Sequence, residues 1–314
     1  MGRVMNNKTY LEKIHAENVE LDPAKEKLFL EVHRKVLKSV IEAAKKKSPE
    51  FKEVYYGKYD GGSYFDGLQV KSDNNDFDIN IIFKCPPTTW KITDLGRDQR
   101  LPNFACIEAP DQSSDAWRDL MSKNMHLKSI ISAKEMYYKL HTAVSKGLTS
   151  LDHEVIVQGI PYKVTRKDAA PVVLNVQGTN DVNFKVDLVP AFQLQMKHTS
   201  IDQKLKSRVD EVMESASSVC PTFMAINIHK ASKDAFELDF HEVERALLKS
   251  RGGCIYKVIK LIKYIAKSKG GNFTKLWSHV LKVCLQPYLI NSIICCADLS
   301  DAPSPGDRPG VLAG

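Results

Sequence analysis

Two aspartates one residue apart, Asp76 and Asp78, open the run Asp76-Phe77-Asp78-Ile79-Asn80-Ile81-Ile82-Phe83. The run is apolar, β-branched and of strand length. Alternate side chains of a strand share a face, so Asp76 and Asp78 point one way and Phe77 the other, into apolar packing. Two like charges at the start of a buried strand repel, and a divalent cation is the simplest compensation. A third carboxylate, Asp187, stands inside the strand-like run Asn183-Phe184-Lys185-Val186-Asp187-Leu188-Val189-Pro190. Three carboxylates on adjacent strands can hold two Mg²⁺ or Mn²⁺ ions. One would activate a hydroxyl and the other would support a departing pyrophosphate. Upstream, Gly61-Gly62-Ser63 can present backbone N–H groups and a hydroxyl to phosphates, best where the turn opens a helix.

The flanking pattern supplies elements to position these groups. Asp22-Pro23 is a helix start, with the aspartate as cap and the proline in the first turn. Phe29, Val32, Val36, Val40 and Ala43 then recur at helical spacing, Lys45-Lys46-Lys47 suits the C-terminal dipole, and Pro49 stops the helix. Glu53 to Tyr59 reads as a strand or extended turn, and residues 86 to 113 as loop with short strands. Residues 115 to 148 read as two helices, Asp115 to Lys123 and Ser129 to Lys146, with Gly147 as the stop. Val155–Val157, Tyr162–Thr165 and Val172–Val176 read as strands that pair with Phe184–Val189. The expected class is α/β with a mixed sheet.

After Ser200 the pattern is mostly helical, with candidates at 201–214, 239–249, 254–269 and 273–285. In the third, Lys260, Lys263 and Lys267 fall within about 60° of one another, with Lys257 beside them, and isoleucines, Val258 and Leu261 take the other side. The expected units are residues 1–21 as a flexible stretch or short helix, 22–200 as the α/β lobe with its long helix, 201–297 as a mainly helical lobe, and 298–314 as a Pro/Gly/Asp-rich disordered tail.

Composition narrows the partners. The 314 residues are 43% hydrophobic and 26% charged, ordinary for a globular chain. Net charge is +7, and from Arg245 to Ala297 no Asp or Glu occurs among many lysines. A one-signed segment of that length implies a polyanionic partner, nucleotide triphosphate or nucleic acid. Seven cysteines without framework spacing suggest reduced thiols in a cytosolic or nuclear protein. The first residues lack the apolar core of a signal peptide, Asn6 stands where myristoylation wants Ser or Thr, and no apolar run reaches membrane-spanning length.

Gly62-Ser63, Asp76-x-Asp78 and Asp187 in VDLVPA resemble a nucleotidyltransferase core. With Asp239-Phe240-His241-Glu242-Val243-Glu244, Lys260-Leu261-Ile262-Lys263-Tyr264 and Trp277-Ser278-His279, the chain from about Pro23 to Leu285 resembles the animal cyclic GMP-AMP synthase-like receptors, a branch of the cyclic GMP-AMP synthase and male-abnormal superfamily. The resemblance implies a two-lobed fold joined by a long spine helix, and Mg²⁺ or Mn²⁺ on Asp76, Asp78 and Asp187. It also implies ATP against Ser63, Asp76, Phe77, Asp78, Glu244, Lys263 and Ser278, with Asp187 serving GTP. His279 stands where the vertebrate enzyme stacks a tyrosine, and Glu237-Leu238-Asp239 replaces a segment that often carries Arg and Ser.

The same resemblance implies cyclic dinucleotide synthesis in cytoplasmic antiviral signalling and admits a homodimer on nucleic acid. Lys35, Lys38, Lys45, Lys46 and Lys47 are the spine residues available to nucleic acid. Between Asp187 and Gly253 only Cys220, His198, His229 and His241 could bind zinc, and their spacing makes no usual four-ligand site, so no zinc is expected. Within the resemblance, lack of a zinc thumb goes with double-stranded RNA as the activator. The alternatives are an inactive relative that only binds nucleotide or RNA, and a transferase with another ligand or a linear product.

Overall fold

A computed structural model of the chain describes residues 12–70, 76–84, 90–94, 104–108, 118–123, 129–167, 171–179, 181–195, 199–201, 203, 222–227, 235–239, 241–250 and 253–269. Helix α1 spans Pro23–Lys47 and begins as its sequence dictates. The Asp22 side chain accepts a hydrogen bond from the Ala24 N–H at 2.9 Å, and Pro23 takes the first turn. Val32, Val36, Val40 and Ala44 lie along its buried face. Pro49, expected only to stop this helix, also opens a second one, α2 (Pro49–Val54), where a missing N–H costs nothing. Before α1, His15–Val19 forms one π-helical turn.

Strand β1 (Tyr55–Gly61) runs into the one-turn helix α3 (Gly62–Phe65), and β2 (Asp76–Phe83) returns antiparallel to β1. Strands β3 (Trp90–Asp94), β4 (Phe104–Glu108), β5 (Met121–Lys123) and β6 (Ser129–Ile131) follow, then helix α4 (Ala133–Ser150). A meander of β7 (Glu154–Val157), β8 (Ile160–Lys167) and β9 (Val172–Gly178) leads to the long β10 (Asn183–Gln195). This is the pairing that the sequence pattern predicts. Short β11 (Thr199–Ile201), β12 (Thr222–Asn227) and β13 (Phe236–Asp239) precede helices α5 (His241–Ser250) and α6 (Gly253–Lys269).

Among the described residues these strands form one mixed sheet in an α/β fold. The pivot is β10. On one edge it carries β2 in parallel along Lys185–Phe192. On the other edge its first half pairs with β9 and its second half with β12. Helices α1 and α4 share a single apolar core with β2, β8, β9 and β10.

Three sequence expectations change. Ser129-Ile-Ile and Met121–Lys123 are paired strands rather than helix, because a β-branched run beside a sheet edge gains more from the ladder than from a helix start. Gly147 does not end α4 but lies inside it. A Cβ there would stand 2.7 Å from the Ala44 nitrogen of α1, so the glycine admits the close approach of two helix backbones. Beyond Ser200, β12 and β13 extend the sheet within a stretch read as helical, pairing with each other, β12 also with β10 and β13 also with the distant β4. Of the helix expected at 201–214, Ile201 instead ends β11 and residues 204–214 lie outside the described residues, as do the helix expected at 273–285 and the tail.

Gly147→Ala normally gains about 1 kcal/mol of helix propensity. Here the new methyl meets backbone that cannot move aside, so the substitution should lower stability by about 1–3 kcal/mol, read from the midpoint of urea unfolding.

Candidate catalytic site

Parallel register brings the acidic residues together. Asp187 of β10 stands directly opposite Asp78 of β2, and Lys185 opposite Asp76. Neighbouring strands lie about 4.8 Å apart, so the Asp78 and Asp187 side chains start side by side on one face. On the other edge of β2, Gly61 is the partner of Asp78. Asp78 thus sits between the glycine turn and the third carboxylate.

Phe77 points the opposite way and is wholly buried. Its ring stacks on His33 of α1, with centroids 4.1 Å apart and planes 15° apart, and meets Tyr64 at 4.4 Å and Phe184 at 5.2 Å. Neither ring nitrogen of His33 finds a partner among the described residues, and burial lowers its pKa to about 4, so the imidazole packs as a neutral aromatic. This aromatic layer fixes β2 on the spine helix and turns Asp76 and Asp78 away from the core.

The charges are costly as they stand. Asp78 is accessible to solvent, yet protein crowds it as it crowds a side chain at a cleft wall. Desolvation raises its pKa first, Asp76 and Asp66 add to the rise, and the positive charges of His241 and Lys263 oppose it. Asp187 is pushed up to about 6 by desolvation, then by Asp78 and Asp76, against a smaller opposing pull from Lys185. The Lys185 ammonium lies 4.0 Å from Asp76 and offsets part of the repulsion. Acidic side chains gathered on one face, their pKa values raised by burial and mutual repulsion, fit hard divalent cations such as Mg²⁺ or Mn²⁺. Among the described residues, no three acidic, histidine or cysteine side chains converge as a closed ligand set.

The glycine turn abuts the site. Gly62 has φ +76°, and a Cβ on it would lie 2.0 Å from Asp78 Oδ2, so only glycine fits. Ser63 is half-buried in the single turn α3 that the glycines open. From the second half of the chain, Lys263 of α6 turns inward, only 7% exposed, and donates to the Leu68 carbonyl at 3.3 Å. The lysine stripe of α6 is therefore not one solvated face. Lys257 is exposed, Lys260 lines a cleft with Glu20 and Glu26, and Lys263 is packed beside Leu68. Ile265, expected on the core side, is 46% exposed.

Glu244 lies half-buried on α5. Ser278 and His279 lie outside the described residues. Along α1, Lys35, Lys38, Lys46 and Lys47 are exposed, while Lys45 is tied to Glu42 at 2.8 Å and lies over the Tyr55 ring. Lys35, Lys38, Lys45 and Lys46 share about a quarter turn of the helix, and Lys47 falls about 100° away. No helix among the described residues is long and apolar enough to cross a membrane.

Sequence reasoning missed two features. His241 pairs through Nδ1 with the buried Asp239 carboxylate, which also accepts the His241 backbone N–H at 2.8 Å. Its local spacing, Asp-x-His at a helix start, was the available signal. Arg245 reaches the glycine turn, and nothing local announced that contact.

The raised pKa of Asp187 has a consequence for folding. Between the ordinary carboxylate value and about pH 6 the folded state holds a proton that the unfolded chain releases. The metal-free protein should therefore lose stability as pH rises through that window. Asp187→Asn should flatten the loss and raise the metal-free melting temperature at pH 7 by about 2–4 °C, measured by calorimetry at pH 4.5 and 7.

Comparison with known proteins agrees with this geometry. Residues 64–250 match the Mab-21 protein nucleotidyltransferase domain. The chain is 24% identical over 298 residues to the cyclic GMP-AMP synthase-like receptor of Aethina tumida, covering 88% of this chain and 70% of that protein. It is 23% identical over 262 residues to the cyclic GMP-AMP synthase-like receptor of Ctenocephalides felis, covering 76% of this chain and 59% of that one. With its paired carboxylates opposite a third, set on a β2–β10 parallel pair inside the matched region, the chain belongs to the Mab-21 nucleotidyltransferase family.

Proposed function

We propose that this protein is a nucleic-acid-activated nucleotidyltransferase that joins ATP and GTP into a cyclic dinucleotide, cyclic GMP-AMP. The observation that carries the reading is the register of Asp78 against Asp187 with the Gly61-Gly62-Ser63 turn packed on Asp78. Divalent cations held by Asp76, Asp78 and Asp187 would supply an activated ribose hydroxyl and neutralise the departing pyrophosphate. The chain's own residues do the rest. The turn at Ser63 receives the ATP triphosphate, and Lys263 contributes positive charge near Asp78. Glu244 and Ser278 orient the adenosine nucleotide, and Asp187 orients the attacking GTP ribose.

Activation rests on the exposed lysines of α1. Lys35, Lys38 and Lys46 share one side of a helix whose other side is core, with Lys45 beside them and Lys47 at its end. A rigid row of ammonium groups reads phosphate spacing and helix shape without base sequence, which suits double-stranded RNA in the cytoplasm. A homodimer would form across that RNA. The relatives named as cyclic GMP-AMP synthase-like receptors support the product and the sensing role.

Protein incubated with labelled ATP and GTP, Mn²⁺ and long double-stranded RNA should yield a phosphatase-resistant product. Omitting the RNA should abolish it, and Asp76→Asn/Asp78→Asn should lower it by about 10²–10³-fold, the scale on which loss of a principal electrostatic group is felt. A linear product, or nucleotide binding without turnover, would replace this reading with the transferase or inactive-relative alternatives. Lys35→Ala/Lys38→Ala should weaken RNA binding uniformly across sequences. It should also reduce the slope of log affinity against log salt by about 1 per lysine, measured by filter binding at several salt concentrations.

A further inference from the structure

Arg245 lies on α5, far in sequence from the glycine turn, yet its guanidinium holds both ends of that turn. Its Nε donates to Asp66 Oδ1 at 2.9 Å, with Nη2 also 2.9 Å from the same oxygen. Nη2 donates to the Asp60 carbonyl at 2.8 Å. The guanidinium carbon lies 5.0 Å from the centre of the Tyr59 ring. Asp60 precedes Gly61-Gly62-Ser63 and Asp66 follows the single turn α3. One rigid fork therefore grips the chain before and after the glycine-serine segment, a task for which a lysine, with one nitrogen, has no equivalent geometry.

The environment makes the grip selective. The Asp66 side chain is 0% exposed and that of Arg245 20% exposed, so the pair is desolvated and either partner alone would be a poorly compensated charge. The segment it holds has no slack on the opposite side, where Gly62 rests against the Asp78 carboxylate. A small shift of the turn would either collide with Asp78 or withdraw Ser63 from it. Burial pushes the Tyr59 hydroxyl well above the ordinary phenol range, so it stays a neutral platform for the guanidinium at any ordinary pH.

We propose that Arg245 is a positioning residue for the phosphate-binding turn: it sets the distance of Gly61-Gly62-Ser63 from Asp78 and ties that distance to helix α5. This rests on reading the turn as the triphosphate cradle. It adds that nucleotide affinity depends on a side chain that touches no nucleotide, supplied by the helix that also carries Glu244.

The test uses the full chain with Arg245→Lys, Arg245→Met, Asp66→Asn and Ser63→Ala. Three quantities are read for each: the Kd of Mn²⁺-ATP by calorimetry, the Kd of Mn²⁺ alone, and amide hydrogen exchange at residues 61–66. Arg245→Lys and Arg245→Met should speed exchange in the turn and weaken Mn²⁺-ATP roughly tenfold while leaving Mn²⁺ affinity unchanged. Ser63→Ala should weaken ATP in the native chain but add little to Arg245→Met, because both remove the same contact. Unchanged exchange in the turn would overturn the clamp. Faster exchange with unchanged ATP affinity would overturn its role toward nucleotide, as would parallel loss of Mn²⁺ binding, which marks general damage. If Arg245→Met does not fold, Arg245→Lys, which keeps the charge, decides the matter. If Ser63→Ala leaves ATP affinity untouched in the native chain, the phosphate reading of the turn fails, while the exchange data still report on the clamp itself.

Discussion

The parallel pairing of β2 with β10 is the constraint on which the rest of the site depends. It sets Asp78 opposite Asp187 and leaves Asp76 next to them on the same face. A sheet gains nothing from three carboxylates gathered there, since desolvation and mutual repulsion raise the pKa values of Asp78 and Asp187. The cost is tolerated because everything on the opposite face is well packed. Phe77, Ile79 and Ile81 of β2 and Val186 and Leu188 of β10 are fully buried against α1 and α4. Stored electrostatic strain on one face of a rigid strand pair is what a cation and a triphosphate can relieve.

The two long helices matter because they keep that face still. Gly147 lets α4 approach the Ala44 backbone of α1, and the pair forms a stiff support under the sheet. Through His33, α1 also presses on the ring of Phe77, between the two aspartates. A neutral imidazole with no hydrogen-bond partner among the described residues packs there by shape. The exposed side of the same helix carries the lysine row, so a polyanion on one surface would bear on the element that underlies the carboxylates.

The second half of the chain completes the site from the other direction. His241, Arg245 and Lys263 come from α5 and α6, and each acts on the turn or on the field at Asp78, with Asp239 of β13 holding His241. Lys263 and Arg245 both bond within Asp60–Leu68, one to the Leu68 carbonyl and the other to Asp60 and Asp66. The glycine-serine turn is therefore held by the helical half and faces the carboxylates of the sheet. Leu68, Leu248 and Ile259 form the small apolar cluster that seats these helices beside it.

Much of this was readable from local pattern. The β-branched run after Asp76, the alternation around Asp187 and the apolar spacing of α1 specify strands and a helix through side-chain periodicity alone, and the D-x-D spacing puts two carboxylates on one face wherever the strand lies. Periodicity gives each side chain its direction about its own axis but names no neighbour. The pairing of Asp187 with Asp78, more than a hundred residues away, is a register chosen by the packing of both strands against common helices. Only that three-dimensional choice decides that Lys263 turns to Leu68 instead of solvent, that Gly147 is a contact and not a stop, and that Arg245 closes on the turn at Asp60 and Asp66. These are contacts between segments whose separation in sequence carries no local trace, so chain packing rather than residue pattern sets them.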